Sequence, residues 1–304
     1  MIKKIIIIGS GLISKKHDLA LKKIQKKVKL KKISSRQFEK FKKEDFKKLN
    51  ILKPGLIIIC SPATKHYINF KQIEKNFENI NVLIEKPVFE KFYKIKKKLK
   101  NNYYVGYNLR FHPVILFLKK FLKNKKIFSI NITSHSYLPK WRKIDYRKSV
   151  SAKKKLGGGI LLELSHEFDY IKWIFKEIKI LHSFNKRVSR LQIETDDILN
   201  LTGQVNKKTL FNLNMNFFST IITRLIKIDG NNFSLNADLI KNEILIVKGG
   251  RKINKKFLNF SMQKTYEYQL TEILSNKISN ICSLNEGLEV IKLIEKIKRI
   301  KSIN

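Results

Sequence analysis

Two side chains able to handle protons stand at distinctive places in the 304-residue sequence. Lys86 comes directly after Val82-Leu83-Ile84 and Glu85, and Pro87 behind it fixes its own φ and restricts the lysine backbone. The apolar run reads as the end of a short buried strand. The turn therefore holds an ammonium group at a carboxyl strand end, where open α/β sheets bind their ligands. His166 follows Gly157-Gly158-Gly159 on a segment that reads as a helix from about Ile160 to Phe175. At about 100° per residue, Glu163, His166, Tyr170 and Trp173 share one face. Asp169 falls within i,i+3 reach of the imidazole and is placed to orient it. A histidine flanked by carboxylates is equipped for proton transfer near neutral pH. Taken singly, each feature also fits a blander role: a solvated strand-end lysine, and a half-buried histidine on an amphipathic helix.

The elements that would position these groups alternate. Lys3–Ile8 is a lysine-led apolar strand, followed at once by Gly9-Ser10-Gly11-Leu12-Ile13-Ser14 and a helix-like apolar spacing through Ile24. Strand, glycine turn and helix are the context that a dinucleotide fingerprint requires. Gly9 permits the tight turn and Gly11 a close backbone approach to a pyrophosphate, while Ser14 stands where a third glycine is usual. The second strand, about Val28–Ile33, ends in Ser34, Ser35 and Arg36, with no acid before Glu39. An acid at that place holds the 2′-hydroxyl of NAD and an arginine suits the 2′-phosphate of NADP, so the balance tilts to NADP. A strand over Leu56–Cys60 runs into Ser61-Pro62-Ala63-Thr64-Lys65-His66. The strand before Lys86 follows, then a helical segment to about Lys100, and Tyr103–Tyr107 leads into Asn108 and Arg110. Strands alternating with helices predict a parallel, doubly wound sheet ending near residue 118.

Composition narrows the partners. The formal charge of +41 is spread along the chain and carried mostly by lysine, as in a strongly AT-biased coding sequence. It forms no block or arginine-rich stripe able to read bases, so no specific nucleic-acid partner is expected. The apolar stretch after Met1 stops at Gly9, too short for a secretory h-region, and no run approaches the roughly 18 residues of a membrane span. Cys60 and Cys282 make neither a disulfide framework nor a metal-ligand spacing. The expectation is a soluble protein of the reducing cytoplasm, without a metal or a membrane partner.

Beyond residue 118 the pattern changes. Lys126–Ser136 alternates with period two. A long irregular stretch, Tyr137–Leu156, carries Trp141, Arg142, Tyr146 and Arg147, and loops of this length are usually functional. Strands separated by turns such as Asp229-Gly230-Asn231 predict a mostly antiparallel sheet from Ile178 to about Val247, with helices at about Tyr266–Ile281 and Glu286–Ile300. The division expected is a Rossmann domain over 1–118 and an α+β domain over 119–304 with an open, mostly antiparallel sheet.

Together the motifs carry a resemblance. GxGxxSxxH at Gly9–His17, SPxxxH at Ser61–His66, EKP at Glu85–Pro87, GYNxRFHP at Gly106–Pro113 and the block Gly157–Phe175 resemble the Gfo/Idh/MocA oxidoreductase family. The segment from Tyr137 through Tyr170 is similar to a subgroup associated with polysaccharide and nonulosonate-type sugars. The resemblance implies NAD or NADP on the N-terminal domain, a sugar or nucleotide-sugar substrate, and a homo-oligomer, dimer or tetramer, formed through the C-terminal sheet. It implies that Lys86 is the active-site lysine and that Gly9, Ser10, Gly11, Leu12, Ile13, Ser34, Arg36, Cys60, Ser61, Pro62, His66, Glu85 and Lys86 adjoin the cofactor. Asn108 and Arg110 match positions near substrate. The family's usual DxGxH pattern departs here: Glu163 replaces the aspartate and His166 comes one residue early, which leaves the carboxylate partner open among Glu163 and Asp169.

The expected chemistry is hydride transfer between nicotinamide and a sugar hydroxyl or carbonyl carbon. Lys86 would stabilise the developing charge on oxygen. His166 would act as acid/base, although the two roles are interchangeable at this level. Trp141, Arg142, Tyr146 and Arg147 would grip the substrate, an arginine suiting an anionic sugar. Two alternatives keep the fold: a recycled cofactor serving epimerisation, dehydration or glycoside cleavage, and a dinucleotide-binding regulator without turnover.

Overall fold

A computed structural model describes residues 4–25 and 27–300. Lys3, expected at the start of the first strand, lies outside the described residues. The chain divides into two compact units, Met1–Phe111 with Ser261–Lys292, and His112–Phe260 with Leu293–Asn304. This division differs from a single cut at residue 118, because a C-terminal stretch returns to the first unit.

The first unit is a six-stranded sheet with strands β1 (Lys4–Ile8), β2 (Lys29–Ile33), β3 (Leu56–Ile59), β4 (Asn81–Ile84) and β5 (Asn102–Val105), plus the late strand β14 (Cys282–Ser283). Their order is β14-β5-β4-β3-β1-β2. All pairings are parallel except β14 with β5. The isoleucines and leucines of β1, β3 and β4 are buried, as a sheet covered on both faces requires. Edge strand β2 reads KLKKI and keeps its lysines outward, which discourages pairing with another chain.

Helix α1 (Leu12–Ile24) follows β1, α2 (Ser35–Glu39) and α3 (Lys43–Ile51) follow β2, and α4 (Ala63–Asn76) follows β3. Helix α8 (Met262–Ser275) packs against α1, and its Tyr266, Leu270, Ile273 and Leu274 join one core with Ile5, Ile7, Leu56 and Leu83. That shared core draws residues 261–292 back to the Rossmann unit. The division falls within helix α9 (Leu284–Arg299).

The helical segment expected up to Lys100 does not form. Among the described residues, the connection from β4 to β5 holds no helix. Lys94, Lys96, Lys97, Lys98 and Lys100 would place like charges at i,i+3 and i,i+4, which opposes a helix there.

The second unit is built on an eight-stranded sheet ordered β13-β12-β11-β10-β6-β9-β8-β7. Its strands are β6 (Ile127–Tyr137), β7 (Ile178–Lys186), β8 (Ile198–Val205), β9 (Thr209–Asn216), β10 (Phe218–Gly230), β11 (Phe233–Asp238), β12 (Glu243–Lys248) and β13 (Arg251–Lys256). All neighbours are antiparallel except β6 and β9. One face buries Ile130, Ile132, Phe211, Leu213, Ile226 and Ile228. The other carries polar groups, with Thr202 Oγ1 donating to Asn212 Oδ1 (2.9 Å) and Asn212 Nδ2 to Asn131 Oδ1 (3.1 Å). Helices α5 (Pro113–Phe121), α6 (Ile160–Glu163) and α7 (His166–Phe175) complete the unit. The single helix expected over Ile160–Phe175 is thus two. Leu164 at φ −98°, ψ +28° leaves the helical region and interrupts it.

Candidate functional site

The sheet of the first unit reverses its winding at β1 and β3, the switch point at whose carboxyl edge α/β sheets hold ligands. Gly9 ends β1 there with φ +120°, and its N–H donates to Ile33 O at 2.8 Å. A Cβ on Gly9 would sit 2.6 Å from Cys60 O, so only glycine lets the two strand ends approach. Gly11 differs. It is the N-cap of α1, and a Cβ placed on it meets nothing within 4 Å. No side chain caps the helix, so the first-turn N–H groups and open space over Gly11 suit the pyrophosphate of a dinucleotide. Ser10 and Leu12 are exposed, Ile13 is half-buried, and Ser14 is buried as a small third residue.

At the end of β2, Ser34 Oγ accepts the Gln37 N–H at 3.1 Å and caps α2, while Arg36 is exposed. Glu39, the first acid after the strand, is occupied by Ser35 Oγ (3.1 Å) and Lys65 Nζ (3.0 Å).

The Glu85-Lys86-Pro87 turn is tied down on several sides. Glu85 is nearly buried, and His17 Nε2 donates to its Oε1 at 2.6 Å from α1. Gly106 lies against the same carboxyl: a Cβ there would be 2.9 Å from Glu85 Cδ. The half-buried Lys86 donates its own N–H to Glu85 Oε2 at 3.2 Å, and its peptide to Pro87 is cis. His66, expected beside the cofactor, is fully buried inside the unit. Its Nε2 faces Ser61 O (2.8 Å) and its Nδ1 faces Pro87 O (2.9 Å), joining the Ser61-Pro62 turn to the lysine turn. Burial outweighs these carbonyls and the Glu85 charge and lowers the His66 pKa. Asn69 Nδ2 donates to Ser61 Oγ at 2.9 Å. Burial, with Glu85 adding to it, pushes the Cys60 thiol well up.

Asn108 and Arg110, expected near substrate, are buried and hydrogen-bonded within the first unit. Asn108 Nδ2 donates to Thr265 Oγ1 at 2.6 Å. Arg110, only 1% exposed, donates to Glu286 Oε1 at 3.0 Å. Burial works to raise the Glu286 pKa, but Arg110 and Ser283 overcome it and hold the carboxyl below its usual range. These bonds attach α8 and α9 to the turn after β5.

In the second unit, His166 opens α7 and Glu163 ends α6, both half-buried. The helix break between them removes the shared-face spacing expected of one continuous helix. Asp169 is buried one turn along α7. The neighbouring Glu167 is fully buried, and Arg224 Nε donates to its Oε1 at 2.8 Å. Trp141 packs edge-on to Phe217 with centroids 5.1 Å apart, and Arg142 is half-buried. Tyr146 OH accepts the Gln192 N–H (3.2 Å), and Arg147 binds Asp145 (2.9 Å) and Gln192 Oε1 (3.1 Å).

Sequence reasoning passed over two sets of residues. The first is His17, whose bond to Glu85 spans 68 positions; only its place in the GxGxxSxxH pattern marked it. The second is Glu194–Asp197, which pins the glycine loop. Glu194 takes Lys153 Nζ (2.8 Å), Thr195 Oγ1 donates to Ser151 O (3.0 Å), and Asp196 accepts the Ile160 N–H (3.0 Å). Among the described residues, no group of three or more His, Cys, Asp or Glu could hold a metal ion, and no helix is long and apolar enough to cross a membrane.

Comparison with known proteins follows the same lines. Residues 3–107 match the Gfo/Idh/MocA family model described as an oxidoreductase family with an NAD-binding Rossmann fold. No curated protein matches the chain. Solved structures with this fold include levoglucosan dehydrogenase in complex with NADH (TM-score 0.79, 14% identity, 97% of this chain and 95% of that one). The WlbA dehydrogenase from Bordetella pertussis in complex with NADH and UDP-GlcNAcA aligns with TM-score 0.74 and 15% identity, over 98% and 96% of the two chains. UDP-N-acetylglucosamine 3-dehydrogenase GnnA from Acidithiobacillus ferrooxidans aligns with TM-score 0.73 and 13% identity, over 97% and 96%. At these identities the likeness is one of fold over the whole length. Through residues 3–107 the chain is similar to the NAD-binding Rossmann domain of the Gfo/Idh/MocA oxidoreductase family.

Proposed function

We propose that the protein is an NAD(P)-dependent oxidoreductase acting on a sugar or nucleotide-sugar hydroxyl or carbonyl, in surface-polysaccharide or related carbohydrate metabolism of the cytoplasm. The observation that carries this reading is the buried tie from α1, whose N-terminus suits a pyrophosphate, to the turn that bears Lys86. Sugar-acting dehydrogenases among the proteins of the same fold support the substrate class.

The nicotinamide, when bound, supplies acceptance or donation of a hydride. The chain's own residues do the rest. The N–H groups at Gly11–Ile13 hold the pyrophosphate. Arg36 and Ser34 favour a 2′-phosphate, and Glu39, already bonded to Lys65, is poorly placed to serve a 2′-hydroxyl. Lys86 as ammonium donates to the reacting oxygen and stabilises its negative charge. His166 takes the hydroxyl proton in oxidation and returns it in reduction, with Glu163 or Asp169 as its carboxylate partner. Trp141, Arg142, Tyr146 and Arg147 bind the substrate, and their two guanidinium groups suit an anionic sugar. The open sheet of the second unit serves a homodimer or homotetramer.

Mass spectrometry of the cofactor and any sugar retained through purification identifies both ligands. On a substrate found in this way, Lys86→Ala and His166→Ala should each reduce kcat by at least about a hundredfold. Wild-type turnover in both variants would overturn the mechanism. Because the sequence departs from DxGxH and the helix breaks at Leu164, a dinucleotide-binding protein without turnover is the second reading. It gives bound cofactor with no redox exchange against a broad panel of sugars.

A further inference from the structure

The helix-free connection from β4 to β5 leaves an open groove along α4. It measures about 810 Å³ and is lined by Tyr67, Ile68, Phe70, Ile95 and Leu99, with lysines around them. Lys71 and Lys75 stand on the helix side, and Lys94, Lys96, Lys98 and Lys100 on the strap. All six are exposed, and among the described residues none makes an ion pair. The one acid in the lining, Glu74, is consumed internally, accepting the Lys100 N–H (2.6 Å), Asn101 Nδ2 (3.1 Å) and Tyr103 OH (2.8 Å). The groove therefore has a cationic rim, six lysines against the one carboxylate of Glu74, over an apolar floor in which Ile68 is 43% exposed.

The strap is fixed at both ends and unpaired between them. Tyr93 stacks on Tyr67 with centroids 3.6 Å apart, and Glu74 holds Lys100 and Asn101. Among the described residues, no backbone amide or carbonyl from Lys94 to Leu99 makes a hydrogen bond. The strap has no regular structure and bends at Lys97, Lys98 and Lys100. The order Lys94-Ile95-Lys96-Lys97-Lys98-Leu99-Lys100 sets ammonium groups two residues apart with apolar residues between most of them.

We infer that this groove is a docking site for an extended acidic segment of a partner protein, in which carboxylates alternate with aliphatic side chains. The carboxylates meet the lysine rim, and the aliphatic groups meet Ile68, Ile95 and Leu99. The inference does not depend on the proposed enzymatic activity.

The test uses the full chain and a fluorescein-labelled peptide DLEIELD, read by anisotropy at 150 mM salt. A peptide DSESESD of the same charge is the control for charge alone. DLEIELD should bind about tenfold tighter than DSESESD. Lys94→Glu/Lys96→Glu/Lys98→Glu should weaken DLEIELD by about tenfold or more, while Lys207→Glu/Lys208→Glu/Lys252→Glu, an equal charge change in the second unit, should alter it less than about twofold. Ile95→Ser/Leu99→Ser, which leaves the charge intact, should remove the preference for DLEIELD and so reads the site should the charge variant unfold. Equal binding of the two peptides, or equal loss in the two charge variants, overturns the inference in favour of diffuse attraction. Tighter binding of inorganic polyphosphate that is lost in the strap variant, with no peptide preference, overturns it in favour of a polyanion site.

Discussion

His17 and Glu85 form a buried pair, Nε2 to Oε1 at 2.6 Å, that fastens helix α1 to the turn carrying Lys86. The imidazole also meets the edge of Tyr266, with centroids 5.1 Å apart. The pair gives the helix that suits the pyrophosphate and the lysine turn a common reference. Removing the imidazole leaves a carboxylate buried without its partner. His17→Ala should cost about 3 kcal/mol in denaturant unfolding, and the double variant with Glu85→Gln much less than the sum. Additive losses would show that the two side chains are independent.

The two glycines of the first unit should separate folding from binding. Gly106→Ala drives a methyl into the Glu85 carboxyl and should destabilise by about 1–3 kcal/mol, with the Lys86 turn displaced. Gly11→Ala meets no protein atom within 4 Å. It should leave the melting temperature nearly unchanged and weaken NADH binding by about tenfold or more, measured by fluorescence titration. Undiminished NADH binding in Gly11→Ala would remove the pyrophosphate from that helix end.

Cofactor selectivity has its own measurement. Arg36 is exposed and no free acid stands before Glu39. Arg36→Ala should raise KM for NADPH by about tenfold and barely change KM for NADH. An equal effect on both would assign Arg36 no part in choosing between them.

Acid stability should report His112. Burial, reinforced by the Arg224 charge, pushes its pKa down to about 4, against the opposing pull of Asn242 and Leu239. The unfolded chain takes up that proton below about 6.5 while the folded chain resists it. Stability from this residue is thus complete above about pH 6.5 and is lost as pH falls towards 4, a loss of order roughly 3 kcal/mol. His112 Nδ1 accepts the Val114 N–H at 3.2 Å and caps α5, a task asparagine also performs. His112→Asn should therefore flatten the pH dependence in that window, as followed by urea unfolding between pH 4 and 7. An unchanged slope would place the titration elsewhere.

The second unit offers a sharper stability test. Arg224 is the partner of a fully buried Glu167. Arg224→Ala should destabilise by about 3 kcal/mol, and Arg224→Ala/Glu167→Leu should recover much of it. Exposed Arg147, held by Asp145 and Gln192, should tolerate alanine with little change in stability. With an anionic substrate, that variant should instead show a raised KM.

Much of the first unit was legible because short-range rules decide it. The isoleucine runs of β1 and β3, the Gly9–Gly11 turn and the residues before Lys86 are local patterns, and a fully buried parallel sheet leaves such runs little other use. The mostly antiparallel character of the second sheet was legible for a similar reason, in the alternation along Ile127–Tyr137 and the turns that follow. Along 94–100 the expected helix is absent because lysines at i,i+3 and i,i+4 would repel one another within it.

The sequence by itself determined the dinucleotide fingerprint, the lysine turn and the two kinds of sheet, since each depends on neighbours within a few residues. Only the tertiary structure decided that His17 belongs to Glu85, that Arg110 belongs to Glu286, and that residues 261–292 return to the Rossmann core. A buried charge or an apolar helix face must find a complementary group, but its composition says only that one is required. Which one it finds is fixed by strand order and helix packing, which bring Arg110 to Glu286 across 176 positions.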